Sequence, residues 1–185
     1  MPTIFTHAAP ALALRFDLGK GLVPRRLFVC AALCAILPDL DVIGFRLGIT
    51  YAAAWGHRGA SHSLVFAFAL GLFAACLAPL LRCRPVTAFL VISLAVLSHI
   101  VLDAMTTGGL GVAAFWPWDQ TRHFLPWRPI RVSPFSPKAF FSGRGVAVVI
   151  SELLWVWLPC LAGACLLWLA RRGERRLEKD KPSGA

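Results

Sequence analysis

Long apolar stretches alternate with short polar knots along this chain, and the lengths of the stretches set the architecture. Leu64 to Leu81, Val86 to Leu102 and Val146 to Ala170 each match a bilayer-crossing helix, which needs ~17 to 25 residues. Leu27 to Leu37, preceded by Leu22 and Val23, is shorter and fits a shallow or tilted span, and Ile4 to Leu14 is shorter still. The pattern predicts an all-α, polytopic transmembrane helical bundle with three full spans and two shorter N-terminal helices. Between Thr106 and Phe141 it changes character, with Phe115-Trp116-Pro117-Trp118 and Leu125-Pro126-Trp127-Arg128-Pro129. Proline bars a regular helix there and tryptophan suits the headgroup zone. An ordered cap over one face, with a short β-hairpin, or a plain interfacial anchor is expected.

Composition agrees: 58% hydrophobic, 15% charged and a mean hydropathy of +0.69 depart from soluble norms toward a membrane protein. A net charge of +10 invites a nucleic-acid partner, but the basic residues gather at segment ends instead of forming a stripe, so none is expected. Arg15, Lys20, Arg25 and Arg26 lie in the first connection, Arg82 and Arg84 in the second, and Arg171, Arg172, Arg175 and Arg176 open the tail. Helices that alternate in direction put all three groups on one side, which the positive-inside tendency makes cytoplasmic. Residues 1–170 then form one membrane-embedded domain, and 171–185 a basic cytoplasmic tail without regular structure. Arg122, Arg128, Arg131, Lys138 and Arg144, with Asp119 as the one acid between Met105 and Arg144, speak against that orientation. Met1 to Leu14 shows neither a basic start nor a small-residue cleavage site, so no removable signal peptide is expected. The six cysteines sit in or beside apolar runs without CxxC pairs, as small hydrophobes do.

The same alternation brings His7, Asp39, Asp41, His57, His62, His99 and Asp103 to the opposite face. Ionisable groups at a lipid boundary are costly unless they bind something. His99 and Asp103, four apart, project from one helical face and suit a single ion. Asp39 and Asp41, two apart after Pro38, reach one site only on a turning backbone. One of them is then a ligand, and the other bridges or orients a partner. His57 and His62 fit a loop and the first turn of a helix, with Ser61 suited to cap that helix. His123 fits a surface role, and Glu152, inside the last apolar run, fits either a satisfied structural carboxyl or a reach toward the site. A mixed His/Asp set favours zinc, manganese or iron over calcium or magnesium. Its size suits one or two divalent ions, with Arg58 placed to hold an anionic substrate oxygen.

The ordered set Thr6-His7, Leu37-Pro38-Asp39-Leu40-Asp41, Gly56-His57-Arg58-Gly59-x-Ser61-His62-Ser63 and Ser98-His99-x-x-x-Asp103-x-x-Thr106 resembles the bacterial membrane-bound metal-dependent hydrolases, the family of the SOS-regulated inner-membrane hydrolase. The resemblance covers roughly His7 to Trp118, and that family looks distantly similar to zinc-dependent phospholipase C. It implies an inner-membrane metal-dependent hydrolase of a phosphoester, and the depth of the site at the lipid boundary points to a lipid-linked one. Membrane lipid is then the natural partner and an anionic or phosphorylated molecule the substrate. By position, His7, Asp39, His57, His62, His99 and Asp103 match metal ligands, with Asp41 as a further candidate; the chemistry of the residues themselves suggests Asp41 as general base or bridging ligand and Arg58 on the developing charge. The chain lacks the second H-x-x-x-E pair of the distant enzymes. The alternative is a non-catalytic metal-binding or transport membrane protein. Transport needs a polar path, yet the middle of Leu64 to Leu81 and Val86 to Leu97 holds no ionisable residue.

Overall fold

A computed structural model describes residues 1–179 apart from 135 and 142, and leaves out the side chains of 17, 20, 137 and 173–179. Among the described residues the chain is helical, with two isolated β-bridges and no strand. In order come α1 (Ile4–His7), α2 (Ala9–Leu22), α3 (Arg25–Cys34), a 3-10 run (Leu37–Leu47), α4 (Leu64–Cys76), α5 (Ala78–Leu81), α6 (Pro85–Ala104), α7 (Pro137–Phe140), α8 (Gly143–Glu152) and α9 (Leu158–Lys179). A π-turn, Leu153–Trp157, joins α8 to α9. It lies just ahead of Pro159, whose ring has no N–H to give the ladder.

Among the described residues three helices are long and apolar enough to cross a membrane: Pro85–Ala104 and Gly143–Arg172, as the apolar runs predict, and Arg25–Leu47 in place of Leu64 to Leu81. Leu64 to Leu81 breaks at Leu77, so α4 is a 13-residue helix followed by the single turn of α5. Pro79 explains the break, since it cannot donate to Ala75 and its ring crowds that carbonyl. The run expected to be short, Leu27 to Leu37, instead continues through the 3-10 segment to Gly48, which ends it in the left-handed conformation. At the N-terminus the helix expected over Ile4 to Leu14 is divided at Ala8 and runs on to Leu22, kinked at Gly19. α9 continues to Lys179, into the stretch expected to lack regular structure; residues 180–185 lie outside the described part.

α6 is the axis of the bundle. Pro85 opens it at a position where a missing donor costs nothing, and α1, α2, α3, α4 and α5 all pack on it. Leu27, Ala31, Ala35, Ala74, Ala78, Ala88, Val91, Ile92 and Ala95 form its main apolar core. Small residues let the helices approach closely: a methyl group on Gly71 of α4 would fall on the Ser93 hydroxyl of α6, 2.0 Å away. In lipid such packing, together with dispersion contacts, holds helices together, because burial from water is not available as a driving force. Gly143–Arg172 is mostly uncovered by protein, as a lipid-facing helix is.

The proline- and tryptophan-rich loop is an ordered cap. Val112 and His123 exchange both backbone hydrogen bonds at 2.9 Å, and Thr107 N–H donates to Ile130 at 2.9 Å. The Val112–His123 bridge is antiparallel, as in a hairpin, but the Thr106–Ile130 bridge is parallel, so the expected hairpin is reduced to a single antiparallel bridge. Arg122 ties the cap to the loop of residues 50–57, donating to the carbonyls of His57 (2.7 Å), Tyr51 (2.9 Å) and Ala53 (3.0 Å).

Candidate metal centre

Three segments meet under the cap. The 3-10 run contributes Asp39, the loop ahead of α4 contributes His62, and the last turns of α6 contribute His99 and Asp103. All four side chains are buried, and one ligand atom from each lies within 4.8 Å of the others. His62 Nε2 is 3.0 Å from His99 Nε2, 3.7 Å from Asp39 Oδ1 and 3.2 Å from Asp103 Oδ2. His99 Nε2 is 3.6 Å from Asp39 Oδ1 and 4.0 Å from Asp103 Oδ2. Donor atoms about 2.0–2.1 Å from one tetrahedral zinc are spaced by about 3.3 Å, so these edges surround a position of the right size. None of the four carboxylate oxygens of Asp39 and Asp103 accepts an aligned hydrogen bond from a described residue. Two buried carboxylates so placed call for positive charge, part of which the Arg58 guanidinium supplies to Asp103.

The far side of each imidazole is held. His99 Nδ1 is 2.8 Å from the carbonyl of Ala35, which fixes a proton on Nδ1 and turns the Nε2 lone pair to the cluster. His62 Nδ1 faces Asp41 Oδ2 at 3.2 Å. Asp41 also takes His57 Nδ1 at 2.6 Å, the backbone N–H of Arg58 at 3.0 Å and the Ser61 hydroxyl at 2.6 Å. Both of its oxygens are therefore engaged around the ligands. Two residues on a 3-10 helix are about 240° apart, which sends Asp39 inward and Asp41 to this outer position. Asp41 thus orients histidines and is not placed as a bridge. Asp41, His57 and His62 do form a second compact set of donor atoms, but it is one already tied together by hydrogen bonds. Asp41→Asn is accordingly expected to weaken metal affinity by roughly 10- to 100-fold while leaving the four inner residues in place, measurable by competition against a chelating dye.

Arg58 is fully buried and does not face an open substrate position. Its Nε lies 3.0 Å from Asp103 Oδ2, Nη1 donates to Gly108 O at 2.9 Å, and Nη2 donates to Thr106 Oγ1 at 3.0 Å. The Thr106 hydroxyl in turn donates to the carbonyl of Asp103 at 2.8 Å. The guanidinium anchors the Asp103 carboxylate. Arg58 has φ 64, a conformation costing about 1–2 kcal/mol for a side-chain-bearing residue. The Asp41 and Ala113 hydrogen bonds to its backbone (3.0 Å each) hold it there. Ser61, expected to cap α4, serves Asp41 instead; Ser63 is the cap, its hydroxyl accepting from Phe66 N–H at 3.1 Å.

His7 stacks on His99 with ring centres 3.7 Å apart, its Nε2 3.6 Å from Asp39 Oδ2 and 3.8 Å from Asp103 Oδ1. Burial outweighs those carboxylates and keeps His7 below its ordinary pKa, neutral with a lone pair to offer. It borders the inner set without belonging to either compact group. Glu152 resolves as the structural alternative: Oε1 accepts from Thr3 N–H, and Oε2 from the hydroxyls of Thr3 (2.6 Å) and Thr6 (2.7 Å). This clamp fastens the segment that carries His7. His123 pairs with Asp119 at 3.6 Å on the exposed cap. The cysteines form no disulfide among the described residues and are half-buried or exposed. The grip of Thr106, Gly108 and Arg122 was beyond sequence reasoning: Thr106 alone stood in a motif, and the others are contacts made by tertiary folding.

Among known proteins, the model of the YdjM inner membrane protein family matches residues 1–175. Inner membrane protein YbcI of Escherichia coli (strain K12) is 43% identical over 178 residues, which is 93% of this chain and 100% of that protein. No solved structure matches.

Proposed function

The chain belongs to the YdjM inner membrane protein family, and on that premise we propose that it is an integral-membrane, divalent-metal-dependent hydrolase of a phosphoester drawn from membrane lipid or a lipid-linked phosphate. The observation that carries the reading is the buried, cation-demanding set Asp39, His62, His99 and Asp103 within 4.8 Å, with its imidazoles oriented from behind. Nitrogen and oxygen donors in this number suit zinc, with manganese or iron also acceptable. A second ion would use His7 and the carboxylate oxygens turned toward it. Such an ion supplies a Lewis acid that activates water and polarises a phosphoryl oxygen. The protein's part is positional: Asp41 and Ala35 hold His62 and His99 by Nδ1, Arg58 holds Asp103, and the cap excludes bulk water. The motif face is extracytoplasmic and the C-terminus cytoplasmic in this proposal, following the arginine clusters.

A proton competes with the metal. Burial works against charge on His62, but Asp103, Asp39 and Asp41 outweigh it and raise its pKa to about 10. In the metal-free protein His62 therefore carries a proton at neutral pH that a metal must displace. Affinity for zinc should rise as pH rises, by about tenfold per unit between pH 6 and 8 for one released proton; a flat profile in dye-competition titrations would contradict this. The activity itself is tested by phosphate and phosphodiester release from lipid and soluble substrates, with His99→Ala and Asp103→Ala as controls. Turnover lost in both variants supports the hydrolase. Zinc-loaded protein that hydrolyses neither class defeats it and leaves the non-catalytic metal-binding alternative.

A further inference from the structure

The inner cluster is sealed, and a lipid substrate needs a seat for its chain next to it. The N-terminal segment has two neighbours: Met1, whose amine is 3.9 Å from Asp103 Oδ1, and an apolar cavity of about 340 Å³ whose walls include Met1, Ile4, Phe5, Pro134, Phe140 and Phe141. A second cavity of about 340 Å³ shares Phe140 and Phe141 and continues along Gly145, Val146, Val149 and Ile150. Gly145 and Val149, like Val146 and Ile150, are successive turns of one helical flank. Through these shared walls the two cavities outline an apolar channel that begins at Met1, next to Asp103, and follows the first turns of a lipid-facing span, along the direction a lipid chain takes. Each volume falls within the range of small-ligand sites, about 300–1,000 Å³. Charge points to the headgroup: from Arg128 to Arg144 the chain holds Arg128, Arg131, Lys138 and Arg144 and no acid, which favours an anionic lipid surface.

We propose that this channel seats an acyl chain of an anionic glycerophospholipid and thereby brings its phosphate to the Asp39/His62/His99/Asp103 centre. The proposal rests on the hydrolase reading for its purpose, while the seat itself can be tested alone. The molecule has another apolar cavity, about 550 Å³, at the opposite end of Arg25–Leu47, walled by Val29, Leu33 and Leu80 and edged by Arg25 and Arg26. Unlike the channel, it is not lined by Met1, whose amine lies 3.9 Å from Asp103, and so it serves as an internal control for ordinary lipid adhesion.

The test is native mass spectrometry of the full-length, zinc-loaded protein in detergent with dioleoyl phosphatidic acid, dioleoylglycerol or glycerol 3-phosphate. Phe141→Asp and Val146→Asp alter side chains 87% and 62% exposed, so the core is spared, and helical content by circular dichroism verifies folding. The expected result is retention of phosphatidic acid at least tenfold above either half-molecule, and a loss of at least tenfold in both channel variants but not in Val29→Asp. Equal retention in the channel variants, or loss confined to Val29→Asp, overturns the proposal. So does glycerol 3-phosphate binding as well as the whole lipid. Zinc measured in the same samples separates the two claims: lipid loss with zinc retained supports the seat, and lipid retained by the channel variants overturns it whether zinc is present or absent. Failure to bind zinc at all counts against the hydrolase alone.

Discussion

Asp103→Ala should be the most damaging single substitution in the protein. Asp103 faces His62 at 3.2 Å, Arg58 at 3.0 Å and His7 at 3.8 Å, so its carboxylate serves the cation position and neutralises a buried guanidinium at once. Its removal takes one of four inner donors and strands Arg58 without its counter-charge. Breaking one partner of a buried pair costs about 3–5 kcal/mol, and the metal-free protein should lose roughly that much in reversible unfolding measurements. Zinc affinity should fall beyond the roughly 10- to 100-fold typical of a lost outer partner, and the thermal stabilisation that zinc gives the wild type should vanish with it. Asp103→Asn separates the two effects: it keeps a hydrogen-bonding shape for Arg58 but still loses the charge that holds the ion. A variant that binds zinc as wild type does would remove Asp103 from the centre.

Gly59→Ala is expected to be nearly as severe, for a reason of space and not of charge. A Cβ at Gly59 would stand 2.2 Å from the carbonyl oxygen of Ala54 and 2.8 Å from that of Gly56, and both obstacles are backbone. The loop that presents His57, Arg58 and His62 must therefore open to admit one methyl group. Overpacking of this sort costs about 1–3 kcal/mol, occasionally more, and rigid backbone on both sides puts it at the upper end. The displaced loop would carry His62 away from His99, so metal affinity should fall along with stability. Gly109→Ala, in close contact with the Tyr51 hydroxyl and the Arg58 guanidinium and at φ +92, provides a comparison in which left-handed backbone strain adds to the loss of space. Chelator-competition titrations paired with unfolding measurements would distinguish the pair, and Gly59→Ala with unchanged metal affinity would show that the loop tolerates the shift.

The helical class and the meeting of the polar groups were legible because each rests on local physics. Runs of apolar residues give helices whatever their neighbours, and alternation of direction puts their polar ends together. Helix limits were less legible, since Pro79 lies inside an apolar run that hydropathy alone treats as continuous. The 3-10 extension after Pro38 is held by contacts of Asp41 and Phe45 with the loop of residues 51–61, distant in sequence, and not by composition. Within the site, residue types told which groups belong together but not in which layer. Asp41 and Arg58 look like chemistry in the sequence, and folding places both behind the ligands as supports. Only the backbone curvature of the 3-10 run and the left-handed turn at Arg58 decide that, and neither leaves a signature in the residue types.

Zinc K-edge X-ray absorption of the detergent-purified, full-length protein tests the central claim most directly. The account predicts a first shell of nitrogen and oxygen at about 2.0–2.1 Å with the outer scattering of two imidazoles, lost in the Asp39→Ala and His99→Ala variants. A shell dominated by sulfur near 2.3 Å, or zinc that remains unchanged in both variants, would contradict it.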